Sequence, residues 1–275
     1  MLILAWVLVL GSACLHALWN ALLKRARDIP STSLGILGVS VLVTALMAPW
    51  IPGPLFPPGS LRWALAAGLG EGLYFVGLAR TLRAAPLGWG YSWMRGVGML
   101  LVWPVSILAM GEPLRPLAAG SVAVVCLGLA LMGLMSARGQ GFMAFFWACA
   151  TGVCIAGYTL CYKAALAHGA HPVGLYGLAM LVAMPVQVAI TRRQGAGILP
   201  RQWGLVLAAG LLCAASFLFY LQALTLAGAG VMATLRNTAI VFAVLFSRAM
   251  GERPSSRQWA GAALIVAGAV GLAWP

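Results

Sequence analysis

The chain alternates long apolar runs with short polar connections along its whole length. A helix that crosses the hydrocarbon core of a bilayer needs about 20 consecutive apolar residues. The runs are continuous and lack the period-two alternation of barrel strands, so the pattern predicts transmembrane helices. We predict ten spans, at residues 2–23, 32–51, 62–82, 87–110, 115–135, 142–164, 172–191, 203–226, 229–250 and 257–274.

The composition excludes a soluble enzyme, a disordered protein and a disulfide scaffold. Of the 275 residues, 63% are hydrophobic and 8% are charged, whereas soluble domains average about 45–50% apolar and about 25% charged residues. A soluble protein cannot keep so much apolar surface away from water. We therefore expect an all-α polytopic membrane protein. We place it in the bacterial inner membrane, where lipids surround its spans.

The net charge of +13 raises the question of nucleic-acid binding, but the basic residues follow the connections between spans. If the N-terminus lies outside, twelve of the 17 Lys and Arg fall at the inner connections and adjoining span ends, and three fall outside. Basic residues are retained on the cytoplasmic side. We therefore expect both termini outside, anionic lipid near the excess charge, and no nucleic-acid partner.

Four short matches relate the two halves in the same order, at offsets of 139 to 144 residues. They pair Leu108–Glu112 with Arg248–Glu252, Ala79-x-Thr81-Leu82 with Ala223-x-Thr225-Leu226, Ala17-x-Trp19 and Lys24 with Ala156-x-Tyr158 and Lys163, and Arg95 with Arg236. Each half holds five predicted spans. Because five is odd, the second copy enters the membrane inverted, as in many secondary transporters. We predict two repeats, residues 1–138 and 139–275.

These features resemble the drug/metabolite transporter superfamily, in the branch built from two EamA-like repeats. The resemblance rests on the first span, which ends in His16–Lys24, on the turns Gly111-Glu112 and Gly251-Glu252, and on the Gly-rich fifth and tenth spans. It implies that spans 1, 3, 4, 6, 8 and 9 line a central cavity while spans 5 and 10 brace the outside. Family members move amino acids and their derivatives, amino-acid-like metallophores, nucleotide sugars, phosphorylated sugars or organic cations. Many relatives keep the N-terminus inside, in contrast to the charge count here.

Two arginines within spans are the most informative candidates for solute binding. An arginine at the centre of a membrane helix costs about 2.5–3.5 kcal/mol, so Arg95 and Arg236 need a reason to be there. Arginine binds carboxylate or phosphate through two parallel hydrogen bonds, which suggests an anion clamp. The alternative is structural pairing with Glu71 or with backbone carbonyls freed around Pro104.

Glu71 lies at the middle of the third span and is the one acid predicted at membrane depth. It is a candidate proton-coupling residue, and the alternative is a permanent ion pair with an arginine. The first span adds a polar stripe at four-residue spacing, which should face a wet cavity or another helix. The remaining candidate solute-binding residues are His16, Trp19, Asn20, Tyr74, Tyr91, Trp93, Tyr158, Tyr220, Gln222 and Asn237.

Spans 5 and 10 contain small residues and almost nothing that binds a polar solute. Small residues let helices approach closely in lipid, either within one chain or across a homodimer, so a monomer and a dimer through these spans both stay open. The six cysteines lie in predicted spans without a CxxC motif, and we expect no metal and no cofactor.

The sequence therefore predicts a secondary active transporter that exports a small polar metabolite by alternating access. The resemblance implies that the solute is an amino acid, an amino-acid derivative or a metallophore, and we hypothesise that Glu71 couples its transport to protons. Two alternatives stay open. The first is efflux of organic cations or drugs by the same fold. The second is an intramembrane enzyme that acts on lipid, although such enzymes usually need clustered acids or a nucleophile with its base.

Overall fold

A computed structural model describes residues 2–85, 87–113, 116–135, 141–193, 195, 197–249, 251 and 254–273. Helix is the regular secondary structure throughout this part of the chain, together with a short 3₁₀ turn at Ala48–Trp50. The helices are α1 (Leu2–Lys24), α2 (Ile29–Met47), α3 (Leu61–Ala84), α4 (Leu87–Met110), α5 (Pro116–Met135), α6 (Phe142–Ala167), α7 (Pro172–Arg193), α8 (Trp203–Leu226), α9 (Ala229–Arg236), α10 (Ala239–Ala249) and α11 (Ser256–Ala273).

Seven helical segments are long and apolar enough to cross a membrane by themselves: α1, α2, α4, α6, α7, α8 and the pair α9–α10. Helix α3 is also 24 residues long but carries charged residues at both ends and one at its centre. The outer surface is apolar, with large side chains such as Leu69, Leu108 and Leu207 exposed, as a lipid-facing surface requires. The predicted class, an all-helical polytopic membrane protein, is confirmed; ten as the number of spans stays a prediction.

The predicted ninth span is not one continuous helix. It divides at Asn237 and Thr238, where α9 ends and α10 begins. The amides of these two residues bond to the carbonyls of Thr234 and Leu235, three residues back, so the ladder tightens locally to 3₁₀ geometry. Neither proline nor glycine marks the position, and the hydropathy pattern runs through it, which is why the sequence did not predict the break. Such interruptions inside membrane helices frequently mark hinges or binding sites.

Contacts between the two halves are reciprocal. The contact of α1 with α8 has its counterpart in the contact of α6 with α3. The contact of α2 with α8 has its counterpart in that of α7 with α3, and α2 and α7 also contact each other. The contact of α4 with α6 has its counterpart in those of α1 with α9 and α10. Two inverted five-helix repeats would produce this pattern, and the division into repeats stays a prediction. The predicted boundary between the repeats falls at residues 138 and 139, which lie outside the described residues.

Helices α5 and α11 pack against each other through their small residues. A Cβ added to Gly261 would lie 2.7 Å from the carbonyl oxygen of Gly128, and one added to Gly128 would lie 2.6 Å from that of Gly261. A Cβ added to Gly268 would lie 2.6 Å from the carbonyl oxygen of Ser121. The small-residue faces of the fifth and tenth predicted spans are thus in close contact within one chain, and whether a dimer also forms there stays a prediction.

Candidate functional site

The polar stripe of α1 lies at the contact between the two halves of the chain. Ser12, His16 and Asn20 are all buried. Ser12 donates a hydrogen bond to the backbone carbonyl of Ser216 (2.7 Å), and Ser216 donates one to the carbonyl of Ser12 (2.9 Å). This reciprocal pair fixes α1 against α8 one turn away from His16. Hydrogen bonds of this kind tie membrane helices together where no hydrophobic force acts between them.

His16 links the stripe to Arg236. Its Nδ1 lies 3.1 Å from Nη2 of Arg236 and 3.2 Å from Nε1 of Trp19. Its Nε2 lies 3.5 Å from the hydroxyl of Tyr74. The backbone carbonyl of His16 accepts from Asn20 Nδ2 (2.8 Å) and from the Tyr91 hydroxyl (3.3 Å). One turn of α1 therefore organises polar groups from α3, α4 and α9.

Both membrane arginines are buried at this contact, and neither is saturated. Arg236 is 1% exposed and Arg95 is 4% exposed. The guanidinium carbon of Arg236 lies 3.9 Å from the ring centre of Tyr220, and that of Arg95 lies 5.7 Å from the ring centre of Tyr91. Among the described residues, Nε of Arg236 and Nη2 of Arg95 have no hydrogen-bond partner. Each arginine thus retains a buried donor that no described acceptor meets.

Glu71 lies in the same buried region without an arginine partner. The Tyr162 hydroxyl donates a hydrogen bond to its Oε1 (3.1 Å), and its Oε2 has no partner among the described residues. In the described part of the chain, no basic nitrogen lies within 4.0 Å of this carboxylate. The permanent ion pair weighed from the sequence is therefore not formed. Nor is either guanidinium hydrogen-bonded to a described backbone carbonyl.

Aromatic rings surround these charged groups. Tyr74 and Tyr158 meet edge to face with ring centres 5.5 Å apart, and Tyr158 meets Tyr162 at 5.6 Å. The Tyr158 hydroxyl is buried without a partner. Phe217 packs 4.6 Å from the Arg236 guanidinium carbon and 5.6 Å from the His16 ring. Sequence reasoning missed Phe217, since nothing distinguishes an apolar residue that lines a site from one that faces lipid.

Most of the candidates proposed from the sequence are brought together, but two are not. The gathered residues are His16, Trp19, Asn20, Glu71, Tyr74, Tyr91, Arg95, Tyr158, Tyr220 and Arg236. Gln222 is exposed and lies with Thr225 near the end of α8. Trp93 is half-buried and packs on Phe145 at 4.7 Å, away from the cluster. Neither residue joins the cluster in this arrangement, because the rotation of α4 and α8 turns both outward, and their roles as solute contacts stay predictions.

Asn237 is buried at the break between α9 and α10. Its Nδ2 donates to Sδ of Met99 (3.1 Å), a weak acceptor. Met99 belongs to α4, four residues beyond Arg95. Asn237 thus connects the broken helix to α4, at the edge of the cluster, and stays a candidate.

Two lysines perform the same task in the two halves. Lys24 at the end of α1 donates to the carbonyls of Leu82 and Ala85, at the end of α3. Lys163 in α6 donates to the carbonyls of Leu224 and Ala227 (both 2.8 Å), at the end of α8. The last carbonyls of a helix lack intrahelical donors, and a cation there is also stabilised by the helix dipole. The pairing of Lys24 with Lys163, inferred from sequence, thus has a structural counterpart.

Glu112 completes the second of these junctions. Its Oε1 accepts from the amide of Ala229, and its Oε2 accepts from the amide of Gly230 (3.1 Å). The carboxylate therefore caps the N-terminus of α9, in the other half of the chain. A carboxylate at a helix N-terminus is stabilised by the helix dipole. Glu252, its counterpart in the repeat, lies outside the described residues.

Comparison with known proteins agrees with this architecture. The fold is similar to that of a solved structure described only as a crystal structure of a protein, with a TM-score of 0.76 and 19% identity over 98% of both chains. No curated protein matches the chain in sequence. The second half matches the EamA-like transporter family over residues 142–274. The resemblance to the drug/metabolite transporter superfamily is confirmed by this match over residues 142–274.

Proposed function

We propose that this membrane transporter is a secondary active exporter of small solutes that carry a carboxylate, namely amino acids and their derivatives. The observation that carries the proposal is the pair of buried arginines with unpartnered guanidinium nitrogens, one from each half of the chain. An unpaired charge in a low-dielectric interior is costly unless an opposite charge reaches it. A solute carboxylate would supply that charge.

The balance of charge supports an anionic or zwitterionic solute over an organic cation. The cluster holds two guanidinium groups and one carboxylate, Glu71. A cation would meet net repulsion from Arg95 and Arg236, whereas a carboxylate would meet donors of matching geometry. A zwitterion adds an ammonium group, which suits the free Oε2 of Glu71 and the faces of the surrounding tyrosines.

The location of the cluster supports transport by alternating access. Arg95 belongs to α4 and Arg236 to α9, so each half contributes one arginine to a site between them. Rocking of one half against the other around such a site would expose it first to one side and then to the other. Glu71 is the group we propose to carry the coupled proton, since its carboxylate is buried with one oxygen unpartnered.

The test uses purified protein in liposomes. Vesicles loaded with a mixture of unlabelled amino acids should take up labelled amino acids by exchange and should ignore labelled tetraethylammonium. Arg95→Lys and Arg236→Lys keep the charge but lose the planar fork. Each should lower exchange by about tenfold or more, the loss expected for one hydrogen bond to a charged group. Arg193→Lys, at an exposed position, is the matched control and should exchange normally.

Four results would overturn parts of this proposal. Exchange of tetraethylammonium but not of amino acids would overturn the anion site and indicate efflux of organic cations. Recovery of chemically altered solute would indicate an enzyme. Normal exchange by both lysine variants would make the arginines structural. Direction is tested in intact cells of a bacterial host preloaded with amino acid, where expression should accelerate its loss; accelerated accumulation instead would contradict export.

A further inference from the structure

Two groups that can only donate hydrogen bonds converge on one nitrogen of His16. Nη2 of Arg236 lies 3.1 Å and Nε1 of Trp19 lies 3.2 Å from His16 Nδ1. Guanidinium and indole nitrogens have no acceptor capacity. His16 Nδ1 must therefore accept, so it carries no proton. The proton of a neutral ring then sits on Nε2, which faces the hydroxyl of Tyr74 at 3.5 Å.

Arg236 has few other constraints on its orientation. Tyr220 and Phe217 flank the guanidinium at 3.9 Å and 4.6 Å from its carbon. Contact with the ring faces does not by itself fix the direction in which the N–H groups point. The hydrogen bond to His16 fixes the direction of Nη2. Nε has no hydrogen-bond partner among the described residues. Because Arg236 is the last residue of α9, this bond also ties the break between α9 and α10 to α1.

The acceptor is neutral, and this choice matters electrostatically. A carboxylate in the place of His16 would form a buried ion pair and cancel the charge of Arg236. An uncharged imidazole orients the guanidinium and leaves its positive charge available to a ligand. Arg95 is paired with Arg236 by the sequence match between the halves. In the same match Ala17 pairs with Ala156, so Ile155 occupies the position equivalent to His16. Arg95 therefore has no imidazole acceptor at that position.

We propose that His16, as the neutral tautomer protonated on Nε2, is the positioning residue that turns the free edge of Arg236 toward the carboxylate of the solute. This inference rests on the proposed function for its solute. The tautomer and the bond to Arg236 belong to the protein itself. The two parts are therefore tested by separate measurements.

The first measurement is nitrogen NMR of the full-length protein labelled with ¹⁵N-histidine. The chain has three histidines, and His16→Asn identifies the His16 signals by their disappearance. We expect one unprotonated and one protonated ring nitrogen at neutral pH, with the proton on Nε2. A proton on Nδ1, in either the other tautomer or the imidazolium, would overturn the proposal. This measurement needs no solute.

The second measurement compares two amide replacements. The oxygen of asparagine can take the place of histidine Nδ1, whereas that of glutamine reaches the place of Nε2. In proteoliposomes, with the labelled amino acid that the unsubstituted protein exchanges fastest, His16→Asn should keep KM within about threefold. His16→Gln should raise KM about tenfold, corresponding to roughly 1.4 kcal/mol. His168→Asn, at an exposed histidine bonded to Ala164, is the control and should leave KM unchanged.

The outcomes separate the two proposals. Equal KM shifts in the asparagine and glutamine variants, with equal losses of melting temperature, would make His16 a packing residue and overturn the inference. If the unsubstituted protein exchanges no amino acid, the proposed function fails. The NMR measurement then decides the state of His16 alone.

Discussion

Glu112 and Gly228 provide a quantitative test of how the two halves of the chain are joined. Glu112 accepts two amide hydrogen bonds at the start of α9. Gly228 is the N-cap of that helix. A Cβ added to Gly228 would lie 2.6 Å from Oε2, 2.8 Å from Cδ and 3.0 Å from Oε1 of Glu112. Gly228→Ala should therefore displace the carboxylate from the helix terminus, and Glu112→Ala should remove the obstacle.

The magnitudes follow from these contacts. Gly228→Ala introduces overpacking, which costs about 1–3 kcal/mol. Glu112→Ala leaves two amides without their acceptor, which we set at about 2 kcal/mol because water reaches this half-buried site. Independent effects would therefore sum to about 3–5 kcal/mol. Because all three close atoms belong to Glu112, the double variant should cost about 2 kcal/mol, with little added by the second change.

The assay is reversible unfolding in SDS-containing mixed micelles, applied to both single variants and the double variant. Gly141→Ala is the matched control: it is also a helix N-cap of nearly the same backbone conformation, with nothing within 4 Å of an added Cβ. It should cost less than about 1 kcal/mol, the typical difference between glycine and alanine at an N-cap. Additive costs for Glu112→Ala and Gly228→Ala would refute the contact, as would equal costs for Gly228→Ala and Gly141→Ala.

Three further predictions use other parts of the molecule. Glu71→Gln should abolish net flux driven by a pH gradient while retaining solute exchange. Because no ion pair is lost, the melting temperature of this variant should stay near that of the unsubstituted protein. A full response to the gradient would remove Glu71 from coupling. Gly261→Leu should strongly reduce folded protein, because a side chain there meets the backbone of α5 at 2.7 Å, whereas folding at normal yield would exclude close packing of α5 on α11. Reporter fusions at Arg27 and Arg193 should read cytoplasmic and a fusion at Gly53 external, following the distribution of basic residues; the opposite pattern throughout would reverse the orientation.

The fold class could be predicted because hydropathy acts locally. A run of apolar residues must be helical in lipid wherever its neighbours lie, since every backbone group needs an internal partner. The pairing of Lys24 with Lys163 was also readable, and the two lysines cap the ends of α3 and α8 in the same way; the two repeats themselves stay a prediction. The break at Asn237 and Thr238 was not readable, because a 3₁₀ interruption leaves hydropathy unchanged and requires no Pro or Gly.

The sequence by itself determined the apolar runs, the charge distribution and the presence of polar groups at membrane depth. Which of those groups meet was decided by the tertiary structure. Ser12 and Ser216 are separated by 204 residues yet bond to each other, and Gln222, six residues beyond Ser216, turns outward. Successive residues point about 100° apart around a helix, so a span's sequence shows that it has a polar face but not the direction of that face. The direction is set by close packing against neighbouring helices, and only that packing placed His16 against Arg236.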